Sequence, residues 1–576
     1  MPTSREVEAM LTGPGGPFAV TTEEVRGIPM KVFAQRMHSL REIPALAQGR
    51  GDETFLVYGD RRLSFGEFID EANSVSASLG DEYGVEKGDR VAVLSANNPE
   101  WCLAFWATVD LGAILVGLNG WWKADEILYG LEDSGAKVLV ADRGRIERIA
   151  ADLDRLPDLE AVFLADCDPA DVGLADDKRV HRFDELLARR GEPLPDTPID
   201  EDDYAVIFYT SGTTGRPKGA ISTHRSMVAN LQATIYNAVA GSLVSGTGLQ
   251  VGGEGGASQA ASLLTSPLFH VSGCHSNLVT GMVAGMKVVI PVGKFEPEKA
   301  MRLIQDERIS VWATVPTMIW RVVEHPARHD YDLSSLQTIA YGGSPSAAEL
   351  QRMIRETFPS VTSTGNAYGL TESSSAVTVN SGKDNEERPD SVGRAMPIVE
   401  IRIVGDGDKE LAPGQTGDVQ IRGPHVMPGY WRKPEATADT ITADGWLRTG
   451  DVGHLDADGF LYITDRAKDM IIRGGENVYC VEIENRLVEH PQVLDAAVIG
   501  VAHPSLGEEV KAVVQVEPGS ALTADEVKSW VAETLANFQV PAYVEFTTEK
   551  LPRNPSGKLL KNVLRGEGEV SFAETL

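Results

Sequence analysis

Cysteine is scarce in this chain, and its copies lie far apart. The four residues Cys102, Cys167, Cys274 and Cys480 form no C-x-x-C pair. This spacing excludes the usual zinc-binding patterns and a disulfide framework. We therefore expect the protein to work in a reducing, cytoplasmic setting.

Positive charge is also in short supply. The 53 Lys and Arg residues face 84 Asp and Glu residues, which gives a formal net charge of -31. Such a surface repels nucleic acid at long range, so we expect no nucleic-acid partner. An anionic ligand would need a local group of cations, and the candidates are Lys218, Arg466, Lys468, Arg473 and Lys558.

Long uninterrupted apolar runs are missing as well. The most apolar stretch, residues 101–122, is broken by Asp110, Asn119 and three glycines. It therefore fits a buried helix, turn and strand better than a membrane span. The first residues lack the apolar core of a signal peptide. We expect neither a transmembrane segment nor export.

The apolar runs that are present are short and regularly spaced. Amphipathic segments separate them, which predicts parallel sheets wrapped by helices, the α/β class. A chain of 576 residues is also long enough for at least two domains. The strand-like runs cover residues 91–94, 138–141, 161–164, 205–208, 287–290, 311–315 and 338–341.

The composition of the sequence changes in its last third. Residues 390–464 are dense in Gly and Pro, with alternating strand-like pieces, and predict a small β-rich subdomain. The rest predicts a compact α+β unit, in which Thr523 and Glu526 form the capping box of a helix. Residues 241–257 are rich in glycine and predict a mobile surface loop.

The segment 209–219 has the composition of a polyphosphate cradle. Glycines let backbone N–H groups approach an anion closely, while hydroxyls and a lysine add donors and positive charge. The segment differs from the Walker loop because Lys218 follows a proline and precedes a glycine. The alternative is an ordinary surface loop. The residues concerned are Thr210, Ser211, Gly212, Thr213, Thr214, Gly215 and Lys218.

Six further clusters follow this loop in a fixed order. They lie at residues 267–270, 341–345, 366–372, 445–451, 462–477 and 554–558. Together with the loop they resemble the adenylate-forming superfamily, which includes acyl-CoA synthetases, over residues 50–560. The resemblance implies ATP-dependent activation of a carboxylic acid to an acyl-adenylate, followed by thioester formation with coenzyme A.

The resemblance also implies a domain arrangement. Residues 1–464 would form an N-terminal domain of parallel α/β sheets, which includes the β-rich subdomain. Residues 471–576 would form a small mobile domain, and residues 465–470 would be a hinge with its pivot at Lys468. Lys558 must reach the α-phosphate in the first step, whereas CoA needs that path in the second.

Four residues are expected at the reacting centre. The resemblance makes Lys558 the lysine that offsets charge at the α-phosphate, with Thr214 beside it. It makes Glu372 the ligand of Mg²⁺, which prefers carboxylate oxygen beside phosphates. His270 would separate the acyl pocket from the CoA tunnel. The alternatives are a solvated lysine, a helix-entry acid and a loop histidine.

The resemblance assigns a larger set of residues to nucleotide binding. Asp451 would accept both ribose hydroxyls, since a carboxylate offers two acceptor oxygens. Arg466 would reach the sugar or a phosphate, and Tyr368 would stack on adenine, with core packing as its alternative. The other members are Gly342, Gly343, Ser344, Asn366, Ala367, Gly369, Thr371 and Tyr462.

Coenzyme A is expected near the hinge. Gly474 and Gly475 resemble the loop that lines the pantetheine tunnel, where glycine suits a narrow passage. Arg473 precedes them. Cys480 departs from the family pattern, because relatives commonly carry proline there.

The acyl pocket is expected to be apolar or uncharged. Its predicted residues are His270, Val271, Gly273, Trp312, Thr314, Tyr341 and Gly342. An α-amino acid is disfavoured, because amino-acid-activating relatives carry an acid where this chain has His270. The substrate could be a medium- or long-chain fatty acid, an aryl acid or a steroid-derived acid. The alternative of another class is a catalytically silent nucleotide-binding regulator. A homodimer also remains open. The short tail after Lys558 leaves no room for a carrier domain, so we expect soluble CoA as the acceptor.

Overall fold

The computed structural model describes most of the chain. The described residues are 2–194, 196–210, 216–246, 259–342, 348–466, 469–474, 476–553 and 558–567.

The described helices and strands are numbered in chain order. The helices are α1 Ser4–Thr12, α2 Glu42–Ala47, α3 Phe65–Asp81, α4 Pro99–Asp110, α5 Ala124–Ser134, α6 Arg143–Ile146, α7 His224–Ser245, α8 Thr280–Val283, α9 Pro297–Asp306, α10 Pro316–Val323, α11 Ala348–Thr357, α12 Gly382–Glu387, α13 Pro434–Thr440, α14 Cys480–Val488, α15 Ala524–Ala532 and α16 Lys561–Leu564. The strands are β1 Val20–Val25, β2 Ile28–Phe33, β3 Thr54–Tyr58, β4 Arg61–Ser64, β5 Arg90–Leu94, β6 Ile114–Gly117, β7 Val138–Ala141, β8 Ala161–Leu164, β9 Val180–Arg182, β10 Tyr204–Thr210, β11 Lys218–Thr223, β12 Ala261–Leu263, β13 Lys287–Ile290, β14 Val311–Thr314, β15 Thr338–Gly342, β16 Ser363–Leu370, β17 Ser375–Ser381, β18 Gly393–Ala395, β19 Glu400–Gly405, β20 Lys409–Glu410, β21 Gly417–Arg422, β22 Leu447–Leu455, β23 Phe460–Arg466, β24 Ile471–Arg473, β25 Glu476–Val478, β26 Asp495–His503, β27 Gly507–Gln515 and β28 Tyr543–Thr547.

A seven-stranded sheet forms the first layer. Its order is β11-β10-β6-β5-β7-β8-β9, and every neighbouring pair is parallel except β10 with β11. Strands β6, β7 and β8 are buried along their whole length. Continuous burial is typical of parallel strands covered on both faces, which explains why these runs are apolar without alternation.

A fourteen-stranded sheet forms the second layer. Strands β3 and β12 to β16 are parallel to one another. Strand β4 pairs antiparallel with β3 at one edge, and β17 to β23 continue the sheet on the other side of β16 in antiparallel fashion. The β-rich residues 390–464 thus extend the large sheet by pairing β18 with β17 and β23. The α/β class is confirmed.

An aromatic helix, α4, fills space between these layers. Trp101, Phe105 and Trp106 of α4 are fully buried together with Phe55 of β3 and Val93 of β5. A helix that is apolar on all sides must be enclosed by other elements. Residues 101–122 therefore form a buried helix and strand, as expected, and no helix in the described part of the chain has the length and apolarity to cross a bilayer.

The C-terminal part forms a separate small sheet. Its order is β25-β24-β27-β26, with β28 added beside β27. Val498 and Val510 pack there against Ile483 of α14 and Val527 of α15. The capping box at Thr523 is present, with its hydroxyl accepting the N–H of Glu526.

The glycine-rich segment is partly helical. Helix α7 continues through Gly241 and ends at Ser245, with Gly246 in the left-handed conformation. The beginning of the predicted mobile loop is therefore a helix end. Residues 247–258 lie outside the described residues.

Candidate active site

The predicted phosphate loop connects two paired strands. Thr210, the last residue of β10, lies opposite Lys218, the first residue of β11. The hydroxyl of Thr210 is 3.4 Å from the carbonyl oxygen of Lys218. Residues 211–215 lie outside the described residues. The stem places the loop at the carboxyl end of a parallel strand, where open α/β sheets bind their ligands.

Lys218 and Glu372 both contact the side chain of Tyr430. The ammonium of Lys218 lies 5.3 Å from the ring centroid of Tyr430, and the Tyr430 hydroxyl donates to Oε1 of Glu372 at 2.7 Å. Burial, followed by the nearby Glu372 charge, raises the pKa of Tyr430. The hydroxyl therefore stays protonated and donates. A cation and a carboxylate thus flank the stem of the phosphate loop.

Glu372 is the predicted ligand of Mg²⁺. Within the described ranges, no group of three His, Cys, Asp or Glu side chains is arranged to hold a metal ion. Mg²⁺ at Glu372 would take its other ligands from phosphate oxygens and water, which suits this ion. The residues therefore fit a magnesium ion that arrives with a nucleotide.

The predicted adenine segment lies at the ends of two parallel strands. Gly342 of β15 lies opposite Ala367 of β16, next to the pair of Tyr341 with Asn366. A Cβ atom on Gly342 would be 2.4 Å from the carbonyl oxygen of Ala367, so only glycine fits there. Gly343 and Ser344 lie outside the described residues.

The two predicted ribose residues form a hydrogen-bonded corner with Tyr368, the residue predicted to stack on adenine. Tyr368 donates its hydroxyl to Oδ2 of Asp451 at 2.6 Å, and Nε of Arg466 lies 3.3 Å from Oδ1. Asp451 and Arg466 are cross-strand partners on β22 and β23, and Asp451 is 3% exposed. Tyr462 lies further along the same ladder, where it stacks on His454. The structure thus brings three of the four residues together.

The turn that follows β16 is tightly packed. A Cβ atom on Gly369 would be 2.0 Å from the carbonyl oxygen of Ser375. Thr371 and Glu372 begin a short 3₁₀ turn, after which Ser374 and Ser375 have φ values of 54° and 120°. Residues held in this region are uncommon and cluster at functional sites. The strained turn fixes the backbone that carries Glu372.

Three of the predicted acyl-pocket residues belong to the apolar core. Trp312 and Tyr341 belong to the core beneath α9, α10 and α11, whereas Val271 belongs to the core between the two sheets. Thr265 connects Trp312 to Thr314. Its hydroxyl accepts a hydrogen bond from Nε1–H of Trp312 at 3.0 Å and lies 2.9 Å from Oγ1 of Thr314. Asn277 connects the loop of His270 and Gly273 to β14, because its Nδ2 donates to the carbonyl oxygens of Ser272 at 2.7 Å and of Ala313 at 3.3 Å.

His270 and Gly273 lie on the loop that enters a π-helical turn, Cys274–Val279. The Nδ1 atom of His270 is 3.0 Å from the hydroxyl of Ser272. Burial lowers the pKa of His270 to about 4. The imidazole is therefore neutral at pH 7. A Cβ atom on Gly273 would be 2.1 Å from the carbonyl oxygen of Pro267, which explains the glycine.

The predicted CoA residues lie on the C-terminal sheet. Arg473 of β24 pairs its Nε with Oε1 of Glu509. Gly474 has φ of 60°, and its N–H donates to the carbonyl oxygen of Leu506 at 2.8 Å. Lys468 and Gly475 lie outside the described residues.

Lys558 belongs to the same C-terminal unit. Its neighbour Leu559 forms a bridge with Arg553 and packs against Ala497 and Val513. Arg553 in turn pairs with Asp495 at 2.8 Å. The backbone around Lys558 is therefore anchored to the small sheet, on the opposite side of the predicted hinge from Glu372 and Asp451.

Cys480 makes a contact across the predicted hinge. Its backbone N–H donates to Oδ2 of Asp465, a carboxylate that is 2% exposed. Its Sγ lies 3.0 Å from the carbonyl oxygen of Asp469. Asp465 precedes the predicted pivot and Cys480 follows it. A proline at this position could not donate the hydrogen bond.

Replacing Cys480 with proline is expected to break this contact without breaking the helix. Cys480 is the first residue of α14, where proline is tolerated, and Tyr479 before it is already extended. Loss of a hydrogen bond to a carboxylate should lower the free energy of unfolding by about 1.5–3 kcal/mol. Urea unfolding measures this change. The matched variant Cys480→Ala keeps the N–H, so an equal loss in both variants would contradict the assignment.

An open cavity of about 650 Å³ lies away from these residues. It is bounded by Arg402, Asp408 and Arg448, of which Arg448 pairs with Asp408. None of the predicted site residues contributes to its lining.

Tyr430 is a site residue that sequence reasoning missed. It follows Gly429 in a turn-rich stretch and belongs to none of the ordered motifs. Its contact with Glu372 joins residues 58 positions apart. No pattern in the single sequence marks this residue.

The two-layer α/β body, its small C-terminal sheet and the phosphate and ribose corners define an adenylate-forming enzyme. The chain belongs to the AMP-binding enzyme family, whose model matches residues 44–431. The model of the AMP-binding enzyme C-terminal domain matches residues 482–558.

Several curated proteins are similar over most of their length. A feruloyl-CoA synthase of Amycolatopsis is 36% identical, with 84% of this chain and 89% of that protein covered. The 3-[(3aS,4S,7aS)-7a-methyl-1,5-dioxo-octahydro-1H-inden-4-yl]propanoyl:CoA ligase of Rhodococcus jostii is 37% identical, with 90% and 96% covered. A mitochondrial medium-chain acyl-CoA ligase of Mus musculus is 32% identical, with 92% and 87% covered.

Solved structures agree with this assignment. The anthranilate CoA ligase AuaEII in complex with anthranoyl-AMP is similar with a TM-score of 0.82 and 27% identity, covering 92% of this chain and 97% of that chain. The chain is therefore an AMP-forming acid–thiol ligase that uses ATP, Mg²⁺ and coenzyme A.

Proposed function

We propose that the substrate is a hydrophobic carboxylic acid, namely a medium- or long-chain fatty acid or a bulky hydrophobic acid. A carboxylate oxygen of the acid bonds to the α-phosphorus of ATP, and the bond from that phosphorus to pyrophosphate breaks. The sulfur of coenzyme A then bonds to the acyl carbon and AMP leaves. The observation that carries the adenylation step is the pair of corners at Glu372, in the turn between β16 and β17, and at Asp451, on β22 of the same large sheet.

In this scheme the phosphate chain lies between the loop at residues 210–215 and Lys218. Glu372 holds the magnesium ion, which neutralises phosphate charge. Asp451 accepts the ribose hydroxyls, and Arg466 holds that carboxylate in place. Tyr430 supports both Lys218 and Glu372, which is the contact that sequence reasoning missed.

The remaining roles depend on a movable C-terminal unit. Lys558 offsets the charge that builds up at the α-phosphate. The pivot lies at Lys468, and Arg473, Gly474 and Gly475 then border the path of coenzyme A. His270, neutral at pH 7, separates that path from the acyl group. The four free cysteines support a cytoplasmic location.

The acid itself is open to a direct test. Fatty acids of increasing length, hydroxycinnamic acids and polycyclic propanoic acids are incubated with ATP, Mg²⁺ and CoA, and thioesters are detected by mass spectrometry. Within a fatty series, each buried methylene should improve kcat/KM about fourfold until the pocket is full. Absence of a thioester with every acid, in the presence of all three co-substrates, would refute the proposal.

A second candidate is an aryl or steroid-derived acid. The similarity to a feruloyl-CoA synthase and to an indene-propanoyl CoA ligase favours it. In that case the aromatic or polycyclic members of the same panel react best, and chain length has little influence on the rate.

A further inference from the structure

Asp133 is a nearly buried carboxylate with two strong donors. It lies near the end of α5, and its side chain is 7% exposed. The hydroxyl of Tyr209 donates to Oδ2 at 2.9 Å, and the ammonium of Lys433 donates to Oδ1 at 2.6 Å. Its backbone carbonyl oxygen accepts a hydrogen bond from Nε1–H of Trp431 at 3.1 Å. Both carboxylate oxygens are therefore committed to protein donors.

Residues held by α5 lie in the sequence on both sides of the predicted phosphate loop. Tyr209 immediately precedes Thr210, the last described residue before the loop. On the other side, Tyr129 of α5 donates its hydroxyl to the carbonyl oxygen of Pro217 at 3.1 Å, and the guanidinium of Arg216 lies 4.9 Å from the Tyr129 ring centroid. One turn of α5 thus holds both the segment that enters the loop and the segment that leaves it.

A third segment reaches the same carboxylate. Trp431 donates its backbone N–H to the carbonyl oxygen of Gly219 at 2.8 Å, next to Lys218. Tyr430, its neighbour, holds Glu372. The Lys433–Asp133 contact therefore ties the Tyr430 segment to α5, so that the loop stem, Lys218 and Glu372 share one anchor.

We propose that Asp133 is a positioning residue that holds the described segments 209–210 and 216–219 in place relative to Glu372, so that Lys218 and Glu372 face the β- and γ-phosphates of ATP. This inference rests on the proposed function, because it takes Lys218 and Glu372 as groups that contact the phosphates. Burial, followed by the Asp133 charge, raises the pKa of Tyr209, so its hydroxyl remains a donor. Without the carboxylate, Tyr209 and Lys433 lose their shared charged acceptor, and the segments remain joined by the bonds of Tyr129 to Pro217 and of Trp431 to the backbone of residues 133 and 219.

The test is Asp133→Asn, which keeps the side-chain volume and removes the charge. The KM for ATP in acid-dependent pyrophosphate exchange should rise on the order of tenfold, the scale of one charge-assisted hydrogen bond. Binding of AMP, and thioester formation from a supplied acyl-adenylate, should change less than about twofold, because neither ligand carries β- or γ-phosphates. A purely structural role would not separate ATP from AMP in this way.

Two further variants sharpen the result. Tyr209→Phe should raise the KM for ATP in the same direction, and the double variant should show less than the product of the two effects, since the groups are in contact. Glu132→Gln removes an exposed carboxylate from the same helix and should leave all constants unchanged.

The outcomes are distinguishable. Equal loss of ATP and AMP binding, or an unchanged KM for ATP in both Asp133→Asn and Tyr209→Phe, overturns the inference. If Asp133→Asn does not fold, Tyr209→Phe and Lys433→Met carry the same comparison. Absence of acid-dependent exchange in the unaltered protein would instead refute the proposed function.

Discussion

Replacing Lys558 with alanine is expected to slow acyl-adenylate formation by about 10²-fold or more, the scale for removing one preorganised charge contact. The attack of one anion on another concentrates negative charge at the α-phosphate, and the ammonium offsets it. Thioester formation from a supplied acyl-adenylate should continue at close to the normal rate, because the adenylyl group has already been transferred to the acid.

Pyrophosphate exchange and thioester release from the supplied intermediate measure the two steps separately. Lys550→Ala serves as the matched control, because it removes an exposed lysine from the same C-terminal unit. Equal loss in both steps, or loss in the control, would contradict the role of Lys558.

The split between the steps follows from where Lys558 lies. It is held on the small sheet through Leu559 and Arg553, whereas Glu372 and Asp451 lie on the large sheet. A residue carried by a movable unit can serve one step and leave the other unaffected. If the hinge lies at residues 465–470 as proposed, the Asp465–Cys480 contact would resist this movement, and Cys480→Pro provides an independent probe of it.

Much of the fold could be predicted because its determinants are local. Residues 138–141 and 161–164 are strands with the expected bounds, and Pro316 begins a helix as its missing N–H suggests. The capping box at Thr523 is read from residues three positions apart. The continuity of β17 with β18 could not be read in this way, since pairing between distant segments leaves no local pattern.

The same distinction applies to the site. Residues within ordered motifs, such as Asp451 and Glu372, were found because the motif marks them. The donors that hold these two carboxylates lie far away in the sequence: Tyr368 lies 83 positions from Asp451, and Tyr430 lies 58 positions from Glu372. Such contacts depend on how two packed layers align. Tyr368 was expected to stack on adenine, and its hydroxyl bond to Asp451 gives it a further task.

Replacing Asp451 with asparagine should lower kcat/KM for ATP by about 10²-fold, since two hydrogen bonds to a charged acceptor are each worth about 1.5–3 kcal/mol. Tyr368 and Arg466 already occupy one site on each carboxylate oxygen. A carboxylate has about four acceptor sites, so two remain for the ribose diol. Asparagine has one acceptor oxygen, and its NH₂ group would face another donor.

Substrate analogues separate this role from a general loss of structure. With the unaltered enzyme, 2′-deoxy-ATP should be about tenfold poorer than ATP, because one hydrogen bond to the carboxylate is missing. With Asp451→Asn the same analogue should carry almost no further penalty, since the bond is already lost. Asp439→Asn, an exposed acid on α13, is the matched control. An equal 2′-deoxy penalty in Asp451→Asn and the unaltered enzyme would mean that Asp451 does not hold the ribose, and that its bonds to Tyr368 and Arg466 serve only the packing of β22 against β16 and β23.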